Sequence, residues 1–396
     1  MKVLFVNSVC GYGSTGKIVE RLAREVESRG GESLVCYGRY DYTGEVRAVK
    51  ITSKTENYVN AFNARLFDND GFGLKSPTKR LIKIIEEFKP DVINLHNLHG
   101  YYLNIKVPFE YLASTDIKIV WTLHDCWALT GHCVHFEYAK CDKYLSVCYD
   151  CPQKKEYPTA LLLDNSKNNY EKKKALFGKI KKENLIVVTP SIWLKNIVEK
   201  SILSNFEVVC LNNGVDLQNF EYKQCEVKKT VLTVASTWTE KKGYKDVIEL
   251  ANRLRGEYKV VMVGVSDSQL DELKGTDIVA IKRTSNQKEL AELYRNALVF
   301  VNPTYEDNFP TTNIEALASG TPVITYKTGG SVEAIEKGNG YVVNQGNIAD
   351  LINKIRLIEK GNFDRKAISD NAKIQYSDDK MANEYYSLYQ QALEVK

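Results

Sequence analysis

Apolar residues recur along this chain in short, β-branched runs, each followed by a break rich in glycine, asparagine or threonine. A longer stretch then follows in which apolar positions return every third or fourth residue. The short runs have the character of buried strands and the longer stretches that of amphipathic helices, so the pattern predicts strands alternating with helices. In the first half, strands fall at Val3–Val6, at LVCYG (34–38), at Asp91–Leu95, at Ile117–Leu123 and at Leu185–Pro190. Helices are predicted over Lys17–Ser28 and Pro77–Phe88, with Ser191 placed to cap another. From Asn212 to Lys229 the pattern loosens into turns and charges. A second series then opens with TVLTVAS (230–236) and a helix from Tyr244, and continues through KVVMVG, IVAI, LVFVNP and VITY to a final helix over 377–395. Alternation of this kind makes a doubly wound parallel sheet. Two such series predict two α/β domains, over 1–210 and 211–374, with the last helix crossing back to the first.

In open parallel sheets ligands bind at the carboxyl edge of the strands. Candidate chemistry concentrates there in VNPTYEDNFPTTNIEALASG (301–320), where a strand gives way to a polar loop and then to a helix opening at Thr312. The positive end of that helix suits a phosphate. Asp307 and Glu315 flank the turn. One reading makes Thr312 and Glu315 a capping box and Asp307 a turn residue. The other has Glu315 accept hydrogen bonds from a ribose diol and Asp307 hold hydroxyls of a sugar beyond the phosphates. Lys242-Gly243, just before a helix start, can place a point charge on a diphosphate. Thr328-Gly-Gly330 closes another strand end on the same edge.

The first strand ends in Gly11-Tyr-Gly-Ser-Thr-Gly16-Lys17. This matches a Walker A loop except at Ile18, where a Mg²⁺-ligating hydroxyl belongs, and it matches G-x-G-x-x-G without the acidic partner at the next strand end, Tyr37-Gly38. What survives both mismatches is a backbone able to approach a ligand closely. His96, His99 and His124, beside Asp125, fall at the carboxyl ends of two strands, without the spacing of a metal triad.

Composition narrows the classes. The chain has 396 residues, 43% hydrophobic and 26% charged, with a net charge of +4. That is ordinary for a globular protein and gives no general attraction to nucleic acid. No apolar run is long enough to span a bilayer. The opening MKVLFVNSVCGYG reads as a first buried strand and not a secretory segment, which predicts a cytoplasmic protein whose nine cysteines are reduced. Five of them fall in the segment 126–158, which breaks the strand–helix pattern. Cys133, Cys141, Cys148 and Cys151 could hold a structural zinc, or could be small buried side chains. The lysine-rich stretch 165–183 is either a solvated helix face or a helix drawn to anionic lipid.

Taken in order, Gly13–Gly16, Leu123-His124-Asp125, Asn213-Gly-Val-Asp216 with Phe220, Lys242-Gly243, Asp307 to Glu315 with Ala316 to Val323, and Thr328-Gly-Gly330 resemble the GT-B glycosyltransferases. The likeness is nearest to glycosyltransferase family 4, the retaining nucleotide-sugar enzymes. The block Trp121–Trp127, the cysteine cluster and the run 151–158 look like the colanic-acid and capsular-polysaccharide branch. The resemblance implies two Rossmann-like domains facing across a cleft. It implies that Glu315 grips the ribose and Asp307 the transferred sugar, while backbone amides at Thr311 and Thr312, with Lys242, hold the diphosphate. Gly13 and Gly16 would let the acceptor-side loop approach the reaction centre, and His124 would support the sugar and leaving group. It further implies a UDP- or GDP-linked donor, a glycan or lipid-linked acceptor, no catalytic metal, and peripheral contact with the inner face of the membrane. Two departures stand out. The family's first glutamate is Asp307 here, with Glu306 adjacent. The arginine expected five residues before Lys242 is Thr237, which leaves Lys241, Arg283 or the acceptor-side domain to supply the missing cation. A sugar-nucleotide epimerase shares this architecture, and a non-catalytic zinc-stabilised scaffold is the reading from another class.

Overall fold

The computed structural model describes residues 1–394; Val395, the last residue of the predicted final helix, lies outside the described residues. The chain divides into two compact units, Met1–Asn212 together with the chain from Met381, and Asn213–Lys380.

The first unit is built on a seven-stranded sheet ordered β3-β2-β1-β4-β5-β6-β7, all parallel. Its strands are β1 (Lys2–Asn7), β2 (Glu32–Tyr37), β3 (Ala48–Lys50), β4 (Val92–Leu95), β5 (Lys118–Thr122), β6 (Leu185–Thr189) and β7 (Glu207–Cys210). Successive strand side chains point to opposite faces. Leu4, Val6, Ile93, Leu95, Ile119 and Trp121 therefore pack into one core, and Val3, Phe5, Val92, Val120 and Val188 into another. Both faces are covered, which is why these strands read as continuous apolar runs. The second core is completed by Met381, Tyr385, Leu388 and Tyr389 of the helix Asp378–Glu394.

The second unit carries six parallel strands in the order β10-β9-β8-β11-β12-β13. They are β8 (Lys228–Val234), β9 (Lys259–Val263), β10 (Ile278–Ile281), β11 (Ala297–Asn302), β12 (Val323–Tyr326) and β13 (Gly340–Val343). Val231, Met262, Val299, Val301 and Ile324 fill one face; Leu232, Val261, Phe300 and Val323 fill the other.

Several elements differ from the pattern-based reading. The helix expected from Lys17 opens at Gly13, and the one expected at Thr312 opens at Thr311. Edge strands β3 and β7 carry no clear apolar run, being short and partly exposed. The helix Lys54–Phe67 buries no apolar stripe against the core, its buried residues being Asn60 and Ala64; its signal was its cap, where Ser53 and Glu56 form a reciprocal capping box. Ser191 caps the helix Ile192–Val198 by accepting from Leu194 N–H.

The lysine-rich helix runs only Ser166–Phe177, ending at Gly178. One of its lysines faces inward. Lys173 Nζ donates to the carbonyls of Trp127, at 2.7 Å, and Thr130, at 3.0 Å, and lies over the Trp127 ring. Burial pulls its pKa down to about 7, against the nearby carboxylates of Asp70 and Asp68. This lysine anchors the start of the 126–158 segment, which contains only two short 3₁₀ turns. Lys173→Met would leave the Thr130 carbonyl without its lysine donor and the Trp127 carbonyl with only the long bond from Thr130 N–H, a loss of about 1–3 kcal/mol. A melting temperature lower by several degrees is expected in calorimetry, and an unchanged melt would remove the anchoring role.

Candidate functional site

Each sheet reverses its strand succession between two central neighbours, β1 and β4 in the first unit and β8 and β11 in the second. Loops leaving such a pair diverge to opposite faces and open a crevice at the carboxyl edge. The candidate residues sit in the loops that follow these four strands and the strands beside them.

In the first unit, β1 leads into a turn closed by Gly11 N–H donating to Gly16 O at 3.0 Å. Gly13 opens the helix with φ +65°, in the left-handed region that favours glycine. A Cβ on Gly16 would stand 3.1 Å from the Gly11 nitrogen, so this position keeps the turn tight. Beyond β4 and β5 the histidines meet. His96 Nδ1 lies 3.0 Å from His124 Nε2, with the rings stacked, and His96 Nε2 lies 3.1 Å from Asn94 Oδ1. Asn94 Nδ2 donates to Val120 O, so its Oδ1 accepts from His96 Nε2–H. His96 then accepts at Nδ1 from His124 Nε2–H, which leaves the His124 lone pair on Nδ1. Tyr389 OH also donates to Asn94 Oδ1, at 2.7 Å, and Tyr385 OH meets Thr122 Oγ1 at 3.1 Å. The C-terminal helix therefore braces this chain of bonds, a contribution that no local motif marks.

Electrostatics divides the three histidines. Burial drives His96 far below the ordinary histidine value, helped by His124. Burial likewise takes His124 down to about 4, although Asp125 pulls the other way. His99 is buried too, but Asp125 at 2.7 Å and Asp70 outweigh the desolvation and hold it above its usual value. Asp125 in turn is lowered to about 2 against its own burial, chiefly by His99. His99 Nδ1 also meets Tyr157 OH at 3.1 Å. The edge thus holds a histidine pair pushed toward the neutral form beside His99, whose pairing with Asp125 favours its protonated form.

The expected zinc set is not formed. Cys133, Cys141, Cys148 and Cys151 line one hollow, yet among the described residues no group of three or more histidine, cysteine or acidic side chains stands in a way that could hold a metal ion. The stacked Phe136 and Tyr144 rings and Lys143 share the space. Cys133 donates to Cys151, which lowers the Cys151 thiol to about 7 and raises Cys133.

In the second unit, Gly243 takes φ +77°, and a Cβ there would stand 2.3 Å from Pro303 O. This close approach lays the loop after β8 against the loop after β11. Lys242 Nζ consequently reaches Asp307 Oδ2 at 2.7 Å and Glu306 O at 3.0 Å. Lys241 pairs with the buried Glu306 at 3.2 Å, so it does not stand in for the missing arginine. Arg283 is exposed after the edge strand β10, two strands from β8.

The helix Thr311–Ala318 has Pro310 at its N-cap, so Thr312 lies inside it and the capping-box reading of Thr312 and Glu315 fails. Its first N–H groups, on Thr311 and Thr312, face the carboxyl edge without intrahelical acceptors. Glu315 is half-buried one turn on, its carboxylate accepting from Tyr294 OH at 3.2 Å. A buried network locks the helix start: Asn302 Nδ2 donates to Asn313 Oδ1 at 2.8 Å, and Asn313 Nδ2 donates to Ser331 O at 3.0 Å. The Asn313 part was legible only as a polar residue on an apolar helix.

The family model described as Glycosyltransferase Family 4 matches residues 15–219, and that for Glycosyl transferases group 1 matches residues 218–375. The chain belongs to glycosyltransferase family 4. Its two parallel-sheet units are those of a GT-B glycosyltransferase. This family 4 chain is similar to the putative colanic acid biosynthesis glycosyl transferase WcaC of Escherichia coli, 23% identical over 91% of this chain and 90% of that protein. It is also similar to the N,N'-diacetylbacillosaminyl-diphospho-undecaprenol alpha-1,3-N-acetylgalactosaminyltransferase of Campylobacter jejuni, 28% identical over 42% of this chain and 46% of that one. Among solved structures, Anabaena HepE in complex with UDP superposes with a TM-score of 0.67 at 14% identity, covering 99% of this chain and all of that one. At that identity the likeness shows the fold.

Because His96 and His124 are held neutral while an unfolded histidine titrates near 6.5, their stabilisation is complete above about pH 6.5 and is lost as pH falls toward 4. Each such proton contributes a slope of up to about 1.4 kcal/mol per pH unit. Melting temperature should therefore fall between pH 6.5 and 4, and more shallowly in His124→Gln. Parallel curves for the two proteins would show that His124 is not held neutral.

Proposed function

We propose that this glycosyltransferase moves a sugar, with retention of its anomeric configuration, from a UDP- or GDP-linked donor to a hydroxyl of a glycan or lipid-linked acceptor during assembly of a bacterial surface polysaccharide. The observation that carries this reading is the cluster around the helix Thr311–Ala318: an ammonium, Lys242, at its positive end with Asp307 at 2.7 Å, and Glu315 one turn along.

Breaking a glycosidic bond to a nucleoside diphosphate leaves negative charge growing on the diphosphate. The helix start and Lys242 are already oriented to receive it. A diphosphate arriving there competes with Asp307 for Lys242, and Asp307 is then available to accept hydroxyls of the donor sugar. Thr311 and Glu315 are four residues apart and share a helix face. A phosphate on the first N–H groups thereby puts the ribose diol within reach of Glu315, whose carboxylate Tyr294 steadies. For His124, in the first unit, the family resemblance implies support of the sugar and leaving group.

The names of the relatives support the wider setting. One is a colanic acid transferase, another acts on a diphospho-undecaprenol acceptor, and HepE was solved with UDP. Retention rests on the family resemblance, and the anomeric signal of the product tests it by NMR.

Glu315→Ala should weaken binding of UDP or GDP about 100-fold or more in calorimetric titration, the loss expected for two hydrogen bonds to a charged acceptor at about 1.5 kcal/mol or more each. Its melting temperature should stay within a few degrees of the parent. Equal affinity in the variant and the parent would overturn the ribose role.

A further inference from the structure

Two segments of the first unit display large apolar side chains to solvent, and they are bonded to each other. On the helix Lys54–Phe67, Tyr58 is 77% and Phe62 63% exposed, one turn apart. In the loop before the lysine-rich helix, Leu161, Leu162 and Leu163 are 61%, 65% and 53% exposed. Leu161 N–H donates to Arg65 O at 2.6 Å and Leu163 N–H to Leu66 O at 3.2 Å, so the three leucines are stitched along the end of that helix. A contiguous apolar strip of this kind marks an interaction surface; scattered exposed residues do not.

Charge around the strip selects the partner. Arg65 lies within it, Lys155 is exposed on the approach to the leucines, and Lys167 and Lys174 are exposed on the helix Ser166–Phe177 that follows directly. The nearby acids are fewer: Asp164 is occupied, its carboxylate accepting from the Ser166 and Cys151 backbone N–H groups, while Glu156 and Glu171 are exposed among the cations and leave Arg65, Lys155, Lys167, Lys172 and Lys174 in excess. Leucines and aromatics rimmed by cations match an anionic bilayer surface, where apolar side chains enter the acyl boundary and lysines stay among the headgroups.

We infer that Leu161–Leu163, with Tyr58 and Phe62, form a docking surface for a membrane bearing anionic lipid. The same loop reaches the candidate site. Four residues before Leu161, Tyr157 meets His99, which is paired with Asp125. A lipid-borne acceptor held at the bilayer surface therefore arrives beside His99. This delivery step rests on the lipid-linked acceptor proposed above, whereas the docking itself does not.

The test is flotation of the full-length chain with vesicles of phosphatidylcholine, with and without phosphatidylglycerol, at low and high salt. Binding is expected to the anionic vesicles and to weaken with salt. The L161S/L162S/L163S variant should bind about tenfold more weakly or worse, as loss of three apolar contacts demands. K155E/K167E/K174E should lose the preference for anionic lipid. Melting temperature and UDP or GDP affinity of both variants should match the parent, which separates this inference from the donor-site reading probed by Glu315→Ala. The inference is overturned if the parent chain does not float with anionic vesicles, or if the leucine variant floats equally. It is also overturned if light scattering shows a dimer that the leucine substitutions dissociate, since a second copy would then be what covers the strip.

Discussion

A parallel strand buried on both faces can carry polar chemistry only where it ends. In the interior of β1, β4, β11 and β12 nearly every position is apolar, because each side chain meets a packed layer. The polar exceptions gather toward the carboxyl edge, and they are satisfied there. Asn7 donates to Val9 O and accepts from Asn97 N–H, joining the end of β1 to the loop after β4. Asn302 and Thr325 do the corresponding work in the second unit through Asn313 and Ser331. A buried amide left unpaired costs about 1–3 kcal/mol, so these bonds hold the loops in one arrangement. The positions of Lys242, Glu315 and His124 follow from that arrangement.

The two edges meet different electrostatic demands. In the first unit burial keeps His96 and His124 neutral, while Asp125 pulls His99 toward its protonated form, so the imidazoles differ through their environment and not through their sequence. In the second unit the charges are paired in parallel, Lys241 with Glu306 and Lys242 with Asp307. The first pair has its carboxylate buried; the second is only half-buried. Only the second can exchange its partner for a ligand without stranding an ion away from water.

This difference between edges also explains what could be read from the residues alone. Strand–helix alternation, the two sheets and the strand–loop–helix order at 301–320 were legible because buried parallel strands write continuous apolar runs and glycines mark the breaks. Partners brought together by tertiary packing were not. Tyr389 reaches Asn94 across 295 positions, and nothing near either residue announces it. Lys173 sits in a lysine-rich helix whose other members face solvent, and only its spacing relative to Tyr170, Leu176 and Phe177 places it inward. The cysteines of 126–158 suggested a metal because density of thiols is a compositional signal, whereas ligation is a geometric one. Here the four thiols line one hollow together with Phe136, Lys143 and Tyr144, and among the described residues no group of three or more could hold a metal ion.

The exchange of glutamate for Asp307 at the family's sugar-binding position can now be argued physically. Glu306 stands next to it. It is buried, held by Lys241, and its backbone carbonyl accepts from Lys242. Turning Glu306 outward would break that ion pair and leave Lys241 without its partner, a loss that a sugar hydroxyl does not offset. Asp307 is the half-exposed carboxylate, and its shorter arm suffices to reach Lys242 at 2.7 Å because Gly243 lets the two loops close to contact.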